Sequence, residues 1–237
     1  TSMERLSSGK RINHARDDAA GMAISSKMTS QINGMNQAVR NTNDGISMVQ
    51  TADGAMEGIA DKLQRMRELA VQSSNGIYSS SDRAALDIEF QALDDEINRV
   101  ASSAEFNGTN LIDADAQISI QVSYAADSTN GKITVSLSGV DSTDLGINAN
   151  VITSQAASST AITAVDAALS TVNSARATLG ATQNRLETTV KDLKNNVENL
   201  SASRSRIEDA DFASETAQLA KSQILQQAGM AMLAQAN

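Results

Sequence analysis

The sequence predicts a mostly α-helical fold with a small β region: an elongated antiparallel helical bundle, or coiled-coil rod, capped by β-hairpins. Three observations carry this reading. Alternating steps of three and four from Ile162 reach Val165, Leu169, Val172, Arg176, Leu179, Gln183, Leu186, Val190, Leu193, Val197, Leu200, Arg204 and Ile207, and eleven of these fourteen positions are apolar. Such a repeat keeps one face of a helix against a partner, and a helix over 159–205 would be about 70 Å long. It needs another long helix beside it. The 237 residues contain no Pro, where average usage would place about a dozen, so the strongest helix breaker is absent. Aromatics are only 2%, which leaves a core of Leu, Ile, Val, Met and Ala, suited to helices packed along a seam.

Taken in chain order, residues 1–18 are polar, with a helix break at Ser7-Ser8-Gly9. A second seam then runs through Met28, Ile32, Met35, Val39, Thr42, Ile46, Val49, Asp53, Met56, Ala60 and Leu63. It predicts a helix over 19–74, stopped at Ser73-Ser74-Asn75-Gly76. A third helix carries Leu86, Phe90, Leu93, Ile97 and Val100, with Ser81 as N-cap and Asp82 favourable in the first turn. Asn107-Gly108 marks a turn. Ile118, Ile120, Val122 and Tyr124 then alternate with polar residues, as do Ile133, Val135 and Leu137 after the hairpin signal Asn130-Gly131. The heptad helix follows, starting near Ser158 or Ser159.

Chemistry is sparsely represented. His14 is the sole histidine and there is no Cys, so no His-based triad, thiolate metal site or disulfide can form. The acid pairs Asp17/Asp18, Asp94/Asp95 and Asp209/Asp211 sit in no cation-loop pattern and read as caps or solvated faces. The polar seam residues Arg176, Gln183 and Arg204 read as register setters. A net charge of −9 argues against nucleic acid. No apolar run is long enough for membrane insertion, and no signal-peptide pattern opens the sequence. Neither an enzyme nor a cofactor is indicated.

Longer motifs carry a more specific message. Glu4-Arg5-Leu6-Ser7-Ser8-Gly9-Lys10-Arg11-Ile12-Asn13 with Asp17-Asp18-Ala19-Ala20-Gly21, then Asn43-Asp44-Gly45-Ile46-Ser47, the run Leu63–Gln72 and Glu105-Phe106-Asn107-Gly108 resemble the N-terminal region of bacterial flagellins. Leu179-Gly180-Ala181, Gln183-Asn184-Arg185-Leu186, Ser205–Asp211, Gln223–Gly229 and Leu233–Asn237 resemble the family's C-terminal region. The resemblance covers nearly everything outside 113–155. It implies an N-terminal connecting segment at 1–18, the two parts of a core helical domain at 19–112 and 156–207, a variable β region at 113–155, and part of a filament-core segment at 208–237. Flagellins begin earlier and continue further, so the sequence reads as trimmed at both ends and is expected to remain monomeric where the intact protein polymerises.

By that resemblance the intact protein is a structural subunit that polymerises with itself into the swimming filament, outside the cell, after export through the flagellar channel. The seam residues, read from the 3-4 count and not from the resemblance, are Leu169, Val172, Leu179, Leu186, Val190, Leu193, Val197 and Leu200. An export chaperone and the filament cap protein are further implied partners, with Leu219, Ile224, Leu225 and Leu233 marking the chaperone and assembly segment. The Leu63–Gln72 run also resembles the flagellin surface read by the host innate Toll-like receptor 5, with Gln64, Arg65, Glu68, Leu69, Gln72 and Glu89 at matching positions. Leu69 has an alternative reading as a simple core residue. The competing function is a surface-displayed binding or adhesion module whose Ser/Thr-rich β region holds a polysaccharide, against which the negative charge and the scarcity of aromatics weigh.

Overall fold

The computed structural model describes residues 2–125 and 131–236. Its elements are α1 (Ser2–Ser8), α2 (Ala19–Ser73), α3 (Ser80–Ser103), β1 (Glu105–Phe106), β2 (Thr109–Asn110), β3 (Ala116–Gln121), β4 (Lys132–Leu137), α4 (Gln155–Glu208) and α5 (Phe212–Ala236). They fall into two compact units, Ala38–Lys191 and Thr1–Gln37 with Asp192–Asn237, and both α2 and α4 supply residues to each.

In the Ala38–Lys191 unit α2 and α4 run antiparallel, because Asp53 meets Arg176 while the later Arg67 meets the earlier Asp166. The buried stripe of α2 is Thr42, Gly45, Val49, Ala52, Met56, Ile59, Leu63, Met66, Ala70 and Ser73, an unbroken alternation of three and four. That of α4 is Ser158, Ala161, Val165, Ala168, Val172, Ala175, Leu179 and Leu186. The period is the expected one, but every second position lies one residue earlier than the sequence suggests. Leu169 is therefore only half-buried beside a fully buried Ala168. Several of these places, among them Gly45, Ala52, Ala161 and Ala168, hold small residues buried by a neighbouring element. Ile120 of β3, for example, fills the space where a Cβ on Gly45 would stand, at 2.2 Å.

Cap chemistry sets the boundaries. Asp18 Oδ1 accepts the Gly21 N–H at 2.8 Å and starts α2. Arg83 Nε donates to the Ser73 carbonyl and its Nη2 to that of Asn75, so the next helix satisfies the orphan carbonyls at the end of α2. α3 is capped by Ser79, two residues before the expected Ser81, in a reciprocal capping box with Asp82. Ser81 is drawn into that network through the Ser79 hydroxyl. α4 begins at Gln155 rather than at Ser158 or Ser159, with the Ser154 hydroxyl accepting the Ala157 N–H. Ser158 lies buried one turn inside. Its hydroxyl and that of Ser73 both donate to the Ile152 carbonyl, tying the end of α2 and the start of α4 to one loop.

The turn at Asn107-Gly108, with φ of 51° and 76°, joins two short antiparallel strands. Positive φ at both central residues is the two-residue hairpin that Asn-Gly favours. β3 and β4 pair antiparallel with Ile118 opposite Val135 and Ile120 opposite Ile133. Ile120, Ile133, Val135 and Leu137 join the core, while Ser119, Thr134 and Ser136 face out. β3 ends at Gln121, so Tyr124 lies beyond the strand and is exposed, in place of the inward position its alternation suggested. Asn130, half of the hairpin signal, lies outside the described residues.

In the other unit α2 and α4 are again antiparallel: Arg204 donates to Thr29 Oγ1 at 3.2 Å, and Ser25 Oγ to Glu208 Oε2 at 2.7 Å. Ile12, Ile32 and Met35 are buried here, with Leu193 at the boundary of burial, but Val197 and Leu200 are only half-covered. The chain segments before α2 and after α4 clip together. Gly9 and Arg11 exchange backbone hydrogen bonds with Ala210 and Glu208, and Lys10 pairs with Glu208 at 2.5 Å. Asp211 caps α5 through the Ala213 N–H.

Candidate functional site

Two surfaces gather the residues singled out by sequence. The first is the α2–α3 face of the Ala38–Lys191 unit. Residues three and four apart share a helix side, so Arg65, Glu68 and Gln72 line up along α2. Arg65 sits 2.9 Å from Glu68 Oε2 on its own helix and 2.9 Å from Glu89 Oε1 on α3. Both carboxylates, Glu68 first, hold the guanidinium still more firmly in its charged form. Gln72 Nε2 donates to the Tyr78 hydroxyl at 3.1 Å, and Gln64 is exposed.

Leu69 departs from this face. It is 0% exposed and belongs to the core, because it points to the inner side where Met66 and Ala70 also lie. A partner approaching this surface would meet Gln64, Arg65, Glu68, Gln72 and Glu89 without touching the Leu69 side chain. Arg67, two residues on from Arg65, turns away from this face toward α4, where its Nε lies 2.6 Å from Asp166 Oδ1. The sequence signal for that contact was only a basic residue on an exposed helical position.

The second surface is α5. Its apolar residues are distributed around the helix instead of along one stripe. Leu219 is half-covered, but Ile224 and Leu225 are 64% and 61% exposed, and every described side chain from Lys221 to Met232 is exposed. The helix is in place; its cover is not. Arg5 of α1 pairs with Glu215 at 2.8 Å near its start, and further along no described residue packs over it. The side chain of Leu233 lies outside the described residues.

The polar seam residues divide. Arg176 Nε is 2.8 Å from Asp53 Oδ1, with Glu57 a further 3.6 Å partner, and Arg204 reaches Thr29, so both fix the antiparallel register. Gln183 instead donates to Glu187 of its own helix. His14 lies in an exposed loop, its Nδ1 3.1 Å from Glu4 Oε1. Asp17 accepts the Asn13 and His14 N–H groups, so the first acid pair consists of caps. Asp94 is the exception among the acids: it is buried, not solvated, because the loop after β4 covers this side of α3. Among the described residues no group of three potential metal ligands occurs, and no helix is long and apolar enough to cross a membrane.

Comparison with known proteins agrees with this architecture. Residues 1–117 match the family model of the bacterial flagellin N-terminal helical region, and residues 162–237 match that of the C-terminal helical region. The unmatched stretch between them, residues 118–161, holds most of β3, all of β4, the loop that follows it and the start of α4. The chain is 49% identical to a flagellin of Halalkalibacterium halodurans over 99% of its own length and 86% of that protein. It is 43% identical to the flagellar filament core protein flaB2 of Brachyspira hyodysenteriae, over 99% and 87%. The crystal structure of Bacillus cereus flagellin superposes with a TM-score of 0.56 at 34% identity, covering 65% of this chain and 88% of that one. On these matches at both ends and along its whole length, the chain belongs to the bacterial flagellin family.

Proposed function

We infer that this chain is a structural subunit of the bacterial flagellar filament. The observation that carries the reading is the pairing of a closed, polar-faced α2–α4 seam with an α5 whose apolar residues point to every side and lie exposed from Lys221 to Met232. A helix of the second kind is stable in water when neighbours enclose it, and repeated copies of one chain in a heterologous, non-closing arrangement supply such neighbours without limit. The family is structural rather than enzymatic. Its filament-named relatives favour assembly over the alternative of a polysaccharide-binding module.

Finer assignments follow the family resemblance. Before assembly α5 needs a temporary cover, which suits an export chaperone gripping Leu219, Ile224 and Leu225 in the cytoplasm; passage through the flagellar channel would then deliver the subunit beneath a cap protein outside the cell. The exposed Arg65, Glu68, Gln72 and Glu89 form a preorganised charged face that a host innate receptor could read. Electron microscopy of the native full-length protein under polymerising conditions tests the main reading. Filaments are expected, and Ile224→Asp with Leu225→Asp should abolish them while leaving the thermal melt of the helical core unchanged. Amorphous aggregates or persistent monomers from the unaltered protein would refute it.

A further inference from the structure

Asp87, Gln91, Asp94 and Asn98 recur along α3 at spacings of four, three and four, which sets them in one row. The row faces the loop between β4 and α4. Asp87 Oδ1 accepts the Ile152 N–H at 2.7 Å, Gln91 Nε2 donates to the Asn150 carbonyl at 2.9 Å, and Asn98 Oδ1 accepts the Ser142 N–H at 2.9 Å. Three members of the row thus hold loop backbone. The fourth does not. Asp94 is 7% exposed, its Oδ1 has no hydrogen-bond partner among the described residues, and its carboxyl is relieved by the hydroxyl of Ser142, itself 2% exposed. The charges that act on Asp94 are Asp95 on its own helix and Asp141 on the loop, both acidic, and Asp141 stands in turn within range of Asp144.

An ionised carboxylate in this place combines a desolvated oxygen that lacks a donor with repulsion from two anions. A neutral acid removes the repulsion and most of the desolvation cost. We propose that Asp94 is a proton-operated clasp: as a neutral acid it lets the loop of residues 138–154 close on α3, and as an anion it loosens that loop. Burial first, then Asp95 and Asp141, push this carboxyl above the usual carboxylate range, with the Ser142 hydrogen bond opposing them. A group raised in this way supports the closed state below its unfolded value, and that support is lost as pH rises through its folded value. The loop should be held more tightly in acid than at neutral pH.

Residue-resolved hydrogen exchange from about pH 4 to about pH 8, corrected for intrinsic rates, tests the clasp. Protection of the Ser142 and Ile152 amides should fall by up to about tenfold per pH unit through the Asp94 transition. Asp94→Asn should hold that protection constant, and Asp141→Asn should move the transition to lower pH by removing one repelling charge. Carbon-13 titration of the Asp94 carboxyl in the unaltered protein should show the transition directly, and it decides the matter if Asp94→Asn fails to fold. Parallel protection profiles in the unaltered and Asp94→Asn proteins would overturn the proposal, as would a carboxyl titrating in the ordinary range. Millimolar magnesium or calcium restoring protection at neutral pH would also overturn it, since the acid pair would then be a cation site.

Discussion

α4 and α5 are both helices with apolar residues on every turn, yet only α4 buries them. α5 is the more apolar of the two. In α4 the apolar residues lie along one stripe, and α2 runs antiparallel to take them up, so Val165, Val172 and Leu186 reach zero exposure. In α5 they point in all directions, and Ile224, Leu225, Met230 and Met232 remain in solvent. Burial within one chain follows the arrangement of apolar residues more than their number. A stripe is satisfied by one neighbour, whereas a helix apolar all round needs several.

This contrast can be broken at its strongest point first. Leu179→Asp should place an unpaired charge in the seam and destabilise the protein by several kcal/mol in urea unfolding. If Leu225→Asp costs as much, the division between covered and uncovered helices is wrong. Leu186→Ala probes the same stripe without introducing charge, and a loss of about 2–5 kcal/mol is expected from lost burial and the cavity it leaves.

The clip between the segments flanking α2 and α4 provides a pH-dependent check of intermediate size. Lys10 and then Ser25 hydrogen-bond Glu208 and hold its carboxyl below the usual range. Its contribution is therefore present above the ordinary glutamate value and is lost as pH falls through the lowered folded value. Hydrogen exchange at Arg11 and Ala210 should accelerate in acid relative to intrinsic rates, and Glu208→Gln should exchange faster already at neutral pH. That dependence is opposite in sign to the one at Asp94, because hydrogen-bond donors favour the charged form of Glu208, whereas burial first, then Asp95 and Asp141, disfavour that of Asp94. The smallest effect belongs to α5: Leu225→Ser should change folding stability by no more than about 0.5 kcal/mol, read in the same urea series. A larger loss would mean that part of the fold packs over this helix.

Much of the architecture is legible in particular residues. Asp18, with Ala19 following, places the start of α2, and the Ser73–Gly76 cluster its end. Asn107-Gly108 demands a turn with positive φ. The heptads of α2 and α4 announce two long helices that need each other, and the family motifs at both ends identify the lineage that the matches confirm. The face carrying Arg65, Glu68 and Gln72 follows from their spacing alone, but its bond to Glu89 depends on α3 folding back beside α2. Counting by threes and fours gave Leu169 and Asp53 the inward positions that Ala168 and Ala52 hold, since both choices satisfy one helix's period equally well.

What the sequence by itself determined, then, is local: helical period, the absence of a breaker, cap and turn chemistry, and the alternation of β3 and β4. The tertiary structure alone decided which of two adjacent positions is core, that Leu69 turns inward from an otherwise exposed row, that Asp94 lies beneath a loop, and that no described residue covers α5 from Lys221 to Met232. The physical reason is that periodicity belongs to a single segment, fixed by its own backbone geometry. Burial belongs to pairs of segments, and it takes a value only when a second surface displaces the water.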